Sequence, residues 1–379
     1  MRKYIVCILT VLLCALSCPV LVCTAEGELT YEESLSALLD ASGTQELLAG
    51  EELLADSDFR PDAPETVTTL SITEVLRRLA GEAADAAAEP LQVFGLLLGV
   101  ILLSAFAESL QSSRASAGEI YEMICVLCAV GVMAKPVSAV FLTASEHITA
   151  CADFMMQFSL IFGAVVSVCG GLTTAAAYQA AMLGICEIVM QIAANVMLPA
   201  LSMGLALGIV DAVNPAVSLG GIVRLLHKVT IWLLGLLMSI FLGLLSVQSM
   251  VAAAADRASA KTTKFVLSNA IPFVGSAVSD AYSTVIGSMG VLKASTGVIG
   301  IISVVSLLLP ILLRLGIYRV LMAAAAAIAE VFGVQRVMKL LRHTESILAA
   351  AFSIAVSFSV IFIVSTAMML MLGGNLTAA

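Results

Sequence analysis

The sequence predicts an all-α, polytopic integral membrane protein with about seven or eight transmembrane segments, a re-entrant segment and a small exported N-terminal helical region. Three observations carry that expectation. Of the 379 residues, 60% are apolar and 12% charged, whereas soluble domains run roughly 45–50% apolar and about 25% charged. A chain this apolar cannot cover itself with polar surface, so lipid is its solvent. Second, apolar runs of span length recur from Leu91 to Leu372. Third, the charge is segregated: residues 26–90 hold 16 acids against three bases (Arg60, Arg77, Arg78), while the remainder beyond residue 90 holds 11 acids and 13 bases. With a formal charge of −9 and no basic face, nucleic acid is excluded as a partner.

The N-terminus indicates the compartment. Arg2 and Lys3 precede an apolar run from Tyr4 to Leu16, and Cys23-Thr24-Ala25 supplies a small-residue ending, the layout of a secretory signal peptide over residues 1–25. Cleavage after Ala25 and an uncleaved anchor both place residues 26–90 outside. Of the nine cysteines, four lie in the signal and five (Cys125, Cys128, Cys151, Cys169, Cys186) in or beside apolar runs, so the exported segment has no disulfide framework. Cys125 and Cys128 have metal-ligand spacing, but no second pair or nearby histidine completes four ligands. Within 26–90, Ser71 and Glu74 form a capping box, and Ile72, Val75, Leu76, Leu79 and Ala83 follow at helical spacing. Residues 71–89 therefore read as an amphipathic helix, either packed on its own neighbours or on the membrane surface, or docking another protein.

The membrane domain covers 91–372, followed by a short tail, 373–379. Span one, about 91–110, carries Gly95 and Gly99, a small-residue face suited to close helix packing. Spans two and three (120–142 and 154–172) flank a base-free connection holding Glu146 and Asp153, which belongs outside while the Arg114 loop belongs in the cytoplasm. A fourth span reaches Pro199. Gly204, Gly208, Asp211, Asn214-Pro215 and Gly220-Gly221 then crowd one apolar stretch, which reads as re-entrant or half-spanning. A span at 229–250 leads to Arg257, Lys261 and Lys264. Placing these bases in the cytoplasm leaves Arg224 and Lys228 outside. Two or three spans over 296–334 connect near Arg314 and Arg319, a cytoplasmic loop holds Arg336, Lys339 and Arg342, and a last span runs 347–372.

No phosphate-binding loop, nucleophile elbow, zinc-protease or dinucleotide fingerprint is present, so neither an enzyme nor a cofactor is expected. What remains is acids in or beside spans: Glu108, Glu122, Glu187, Asp211 and Glu330. A charge at mid-bilayer costs about 2.5–3.5 kcal/mol on insertion scales, so each faces protein or water. For Glu108, Glu122 and Glu330, pairing with a base at a helix end is the plainer reading. Glu187 and Asp211 sit deeper, as an intramembrane polar path or as interhelical hydrogen bonds.

Residues 261–300 suit neither an ordinary span nor a soluble loop, and read as a hairpin dipping into the bilayer or an interfacial helix. They hold Lys264-Phe265, Ile271-Pro272-Phe273-Val274-Gly275, Asp280 five residues on, Leu292-Lys293, and then Gly297 and Gly300. This block resembles the stage III sporulation protein AE family of endospore-forming bacteria, as does the order of signal, short exported segment and multi-span bundle. Phe273 stands where valine is more usual in the family. Carried over, the block marks Lys264, Pro272, Gly275, Asp280, Lys293 and Gly297: Pro272 and Gly275 to bend the backbone, Asp280 and Lys293 to pair across a hairpin, and Gly297 to allow close packing. Alternatively all six only shape the fold.

The resemblance implies a membrane subunit of the channel apparatus joining mother cell and forespore, needed for late forespore development, in the mother-cell membrane around the forespore. Residues 26–90 would then face the intermembrane space. Implied partners are the companion stage III sporulation proteins, met through 26–90 and the membrane helices, together with the lipid bilayer, and with further copies of the chain as a candidate. The alternative is a stand-alone secondary transporter.

Overall fold

A computed structural model describes residues 72–110, 115–214, 219–270 and 275–374. The signal peptide, the acid-rich stretch up to Ser71, Arg114, Pro215, Pro272 and the end of the tail lie outside the described residues. The described residues form six long helices: α1 (Ile72–Leu110), α2 (Ala115–Val168), α3 (Leu172–Val213), α4 (Gly220–Ala270), α5 (Gly275–Val331) and α6 (Gln335–Gly374). No strand occurs among the described residues. Each helix contains a segment long and apolar enough to cross a membrane, so the protein is an all-helical, polytopic membrane protein.

Six such helices stand where seven or eight spans were expected, because stretches read as pairs of spans are continuous. Residues 143–153 hold no glycine or proline, and burial keeps helical period through them: Ala144, Ile148, Cys151 and Ala152 point inward while Glu146, Thr149 and Asp153 point out. Polar residues on the outer side do not interrupt a helix. The same holds at Arg314 and Arg319, where Ile311, Leu315, Tyr318 and Met322 continue the buried face of α5 without a break. Nor does Pro90 divide the chain; α1 runs through it, joining the amphipathic stretch to the first span. Residues 261–270 complete α4 and 275–300 open α5, so the block read as a dipping hairpin lies mostly in the ends of two long helices.

Successive helices alternate in direction, and α6 is central, packing on α2, α3, α4 and α5. Two of the turns close with a left-handed glycine, Gly170 (φ 85°) and Gly333 (φ 80°). In each, the next N–H reaches back to the last turn of the preceding helix, Gly171 to the Val166 carbonyl and Val334 to that of Ala329, both at 3.0 Å. The core is filled by aromatic rings: Phe158 stacks on Phe162 at 5.4 Å between centroids and meets Phe362 edge-on at 5.4 Å, and Phe162 meets Tyr178 at 5.6 Å.

Glycines decide where helices touch. A Cβ on Gly300 would collide with the ring of Phe158, and one on Gly297 would fall 2.8 Å from the Leu370 side chain. Gly204 and Gly208 face Ile347 and His343 of α6 at 3.6 and 3.3 Å, a close-packing face. Gly95 and Gly99 are exposed with nothing within 4 Å, so their small-residue face packs against no other described residue. Gly300→Ala is expected to cost about 1–3 kcal/mol by overpacking, whereas Gly95→Ala should stay within about 0.5 kcal/mol. Unfolding midpoints of the detergent-purified variants check the contrast, and equal shifts would contradict the packing described.

Candidate functional site

Two polar junctions occupy opposite ends of the bundle, and both are built on α3 and α4. Asp211 lies in the last turn of α3, one residue before Ala212 and close to Asn214, where the backbone leaves the helix (φ −106°, ψ 105°). Its side chain is fully buried. Oδ1 accepts the Gly220 N–H at 2.9 Å, Oδ2 meets Lys339 Nζ at 2.8 Å, and His343 Nε2 lies 3.3 Å from Oδ2. The first N–H groups of a helix have no partner within it, and a carboxylate there gains both a donor and the positive end of the helix dipole. Glycine at 220 makes this approach possible, since a Cβ would sit 3.1 Å from Oδ2. The stretch read as re-entrant is thus, in its described residues, the junction between α3 and α4, clamped to α6.

At the far end the roles are exchanged. Asp256 of α4, 3% exposed, accepts the N–H of Thr173 on Oδ1 and of Thr174 on Oδ2, each at 2.8 Å. It caps α3, whose own N-cap residue, Gly171, has no side chain to do so. Nearby, buried Lys293 donates to the Met369 carbonyl at 2.6 Å, where a cation meets the carbonyl end of α6. Cys169 Sγ lies 3.2 Å from the Met289 carbonyl, and Gln248 donates to that of Ala177 at 3.0 Å. A cavity of about 10 Å³ between Tyr178, Gln248 and Met369 has room for about one water.

This geometry regroups the bases. Arg224 and Lys228, near the start of α4, share an end with Arg336, Lys339 and Arg342; Arg257, Lys261 and Lys264 lie at the other. The expectation that placed the Arg257 cluster on the same side as Arg336–Arg342, with Arg224 and Lys228 opposite, is therefore corrected. The 42 residues of α3 separate the two junctions by roughly 60 Å of helix. The discrepancy traces to α2, a single continuous helix where two spans were expected.

Among the acids, Glu122 pairs with Arg336 at 2.6 Å and Glu330 with Arg342, as the helix-end reading expected. The side chain of Glu108 lies outside the described residues. Arg314 is held by Glu89 and Arg319 by Glu345 at 3.4 Å. Glu187 and Asp211 do not meet: they are 24 positions apart on α3, about 36 Å of rise. Asp211 is interior, while Glu187 accepts from Gln191 at 2.9 Å on the outer side of the helix.

Of the block residues, Lys264 is half-buried near the end of α4, Gly275 opens α5, Asp280 follows in its second turn, and Lys293 and Gly297 are buried against α6. The pairing of Asp280 with Lys293 across a hairpin is corrected: both lie on α5, 13 residues or about 20 Å of rise apart. Asp256, His343, Gln191 and Asn195 were missed by sequence reasoning. For the last two, the four-residue spacing from Glu187 was the available signal; for Asp256, capping a helix 82 residues upstream, there was none.

The stage III sporulation protein AE family matches residues 64–373, most of the chain and all six helices. The chain belongs to the stage III sporulation protein AE family. A relative of that name from Bacillus subtilis (strain 168) is 28% identical over 158 residues, which is 42% of this chain and 40% of the relative. No solved structure matches.

Removing one partner of an ion pair so that a buried charge is left uncompensated typically costs about 3–5 kcal/mol. Lys339→Met, which leaves the fully buried Asp211 carboxylate without its ammonium, is expected toward that range. Asp211→Ala should cost less, because the ammonium it leaves behind is half-exposed and can reach water. Denaturant unfolding in detergent micelles measures both, and a larger loss for Asp211→Ala would refute the ranking.

Proposed function

We propose that this stage III sporulation protein AE is a membrane subunit of a multiprotein, secretion-like channel complex linking mother cell and forespore and required for late forespore development. The observation that carries this reading is the family match across the whole helical body. A physical constraint supports an assembly. Helix α4 exposes large apolar side chains continuously from Ile222 to Val251, about 44 Å of helix, whereas the hydrocarbon layer is about 30 Å thick. Lipid around an upright helix covers roughly two thirds of that length, which leaves apolar surface for protein to cover. The companion stage III sporulation proteins are the proposed cover.

The packed aromatic centre supports a conduit formed between subunits rather than within the single chain. A stand-alone transporter has less support: Asp211 is already bonded through both oxygens, and Glu187 lies on the outer side of α3. In this reading the six block residues serve the fold and its contacts rather than catalysis.

The proposed orientation puts the Asp211 end, with Arg224, Lys228, Arg336, Lys339 and Arg342, in the mother-cell cytoplasm. The N-terminal region then faces the intermembrane space. A cysteine replacing Ser36, in a chain otherwise cleared of cysteine, should react with a membrane-impermeant maleimide added from outside, and one replacing Arg224 only after permeabilisation; the reverse pattern would invert the scheme. Deleting 26–71, which spares every described helix, should abolish co-purification with companion proteins and lower the yield of heat-resistant spores. Unchanged assembly and sporulation would refute a docking role for that region.

A further inference from the structure

On α3, Glu187, Gln191 and Asn195 follow one another at four-residue spacing along the outer side of an apolar helix. Gln191 Nε2 donates to Glu187 Oε1 at 2.9 Å, and Asn195 Nδ2 lies 3.4 Å from Gln191 Oε1. Gln191 and Asn195 are exposed, among equally exposed Ile188 (58%) and Val196 (53%). The helix is irregular on both sides of the first two: Met182–Cys186 and Ala193–Met197 take the wider π-helical hydrogen-bonding pattern, which recurs at functional positions.

Depth makes the stripe costly if it faces lipid. A bilayer takes about 20 helical residues, and any 20-residue window placed within Leu172–Val213 contains Gln191 or Asn195. However the protein is set in the membrane, α3 cannot cross without carrying an amide through the hydrocarbon. After the internal bonds are counted, the second N–H of each amide, the Asn195 carbonyl and one Glu187 oxygen retain hydrogen-bonding capacity. Such groups are satisfied in membranes by another helix.

We propose that the Glu187–Gln191–Asn195 stripe is a self-association surface, at which α3 packs in parallel against α3 of a second copy of this chain. The chemistry selects that occupant. Copies inserted with the same orientation bring identical residues to identical depth, so amide faces amide, and an amide is both donor and acceptor for its twin. A basic partner would satisfy Glu187 and leave the amides unmatched. Gly184, exposed on the same side with open space before it, allows the backbones to approach. The surface deepens the channel-subunit reading by supplying a contact between copies, but it can be tested without companions.

The test is disulfide cross-linking in membrane vesicles from a non-sporulating bacterial host producing the full chain, its nine native cysteines replaced. Gln191→Cys and Asn195→Cys are each compared with Trp232→Cys, on the equally exposed outer side of α4. Oxidation should give a band at twice the monomer mass at 191 or 195 and none at 232. Absence of that band at both positions, an equal band at 232, or capture only of a host protein would overturn the proposal. In the otherwise native chain, Gln191→Leu should weaken energy transfer between labelled copies by about three- to twentyfold, while Gln191→Asn retains it; unchanged transfer in Gln191→Leu would also overturn it. A monomeric chain that still binds companions and supports sporulation would reject this surface and leave the channel role standing.

Discussion

The arrangement depends on a reciprocal clasp: α3 and α4 each hold the other's first N–H groups with a buried carboxylate. Asp256, late in α4, accepts from Thr173 and Thr174 at the start of α3, and Asp211, late in α3, accepts from Gly220 at the start of α4. In a low-dielectric interior neither an unpaired carboxylate nor an orphan helix end is tolerable, so each solves the other's difficulty. Two antiparallel helices tied at both ends have a fixed register. Lys339 and His343 extend one clasp to α6, and Lys293 at the other end holds the final turns of α6 through the Met369 carbonyl.

Within that frame, glycine sets how near the remaining helices come. Gly204 and Gly208 let α3 meet α6, and Gly297 and Gly300 let α5 meet α6 and α2. The family block thus contributes to the bundle through a buried ammonium and two close approaches. Its acid, Asp280, lies about 20 Å along α5 from that ammonium.

The outer surface has a different logic. Helices of 39 to 57 residues correspond to roughly 60–85 Å, two to nearly three hydrocarbon thicknesses. The apolar side chains exposed along α4, the exposed Gly95/Gly99 face and the amide stripe on α3 support the proposal that other protein completes this surface.

Composition alone determined that lipid is the solvent and that the structure is helical, because these follow from summed transfer energies and from apolar run length. The block at 261–300 was enough to indicate the family, but the packing face expected at Gly95 and Gly99 meets no described residue, and Gly204 and Gly208, in the stretch read as re-entrant, supply one instead. Span number was not legible. A helix ends where its backbone hydrogen bonds stop, and Glu146, Asp153, Arg314 and Arg319, which looked like connections, sit on continuous helices whose buried faces never lose their period. The partners of Asp211 and the capping role of Asp256 were equally hidden. They join residues between 9 and 132 positions apart, and only the packing of helices against one another decides which distant charge meets which helix end.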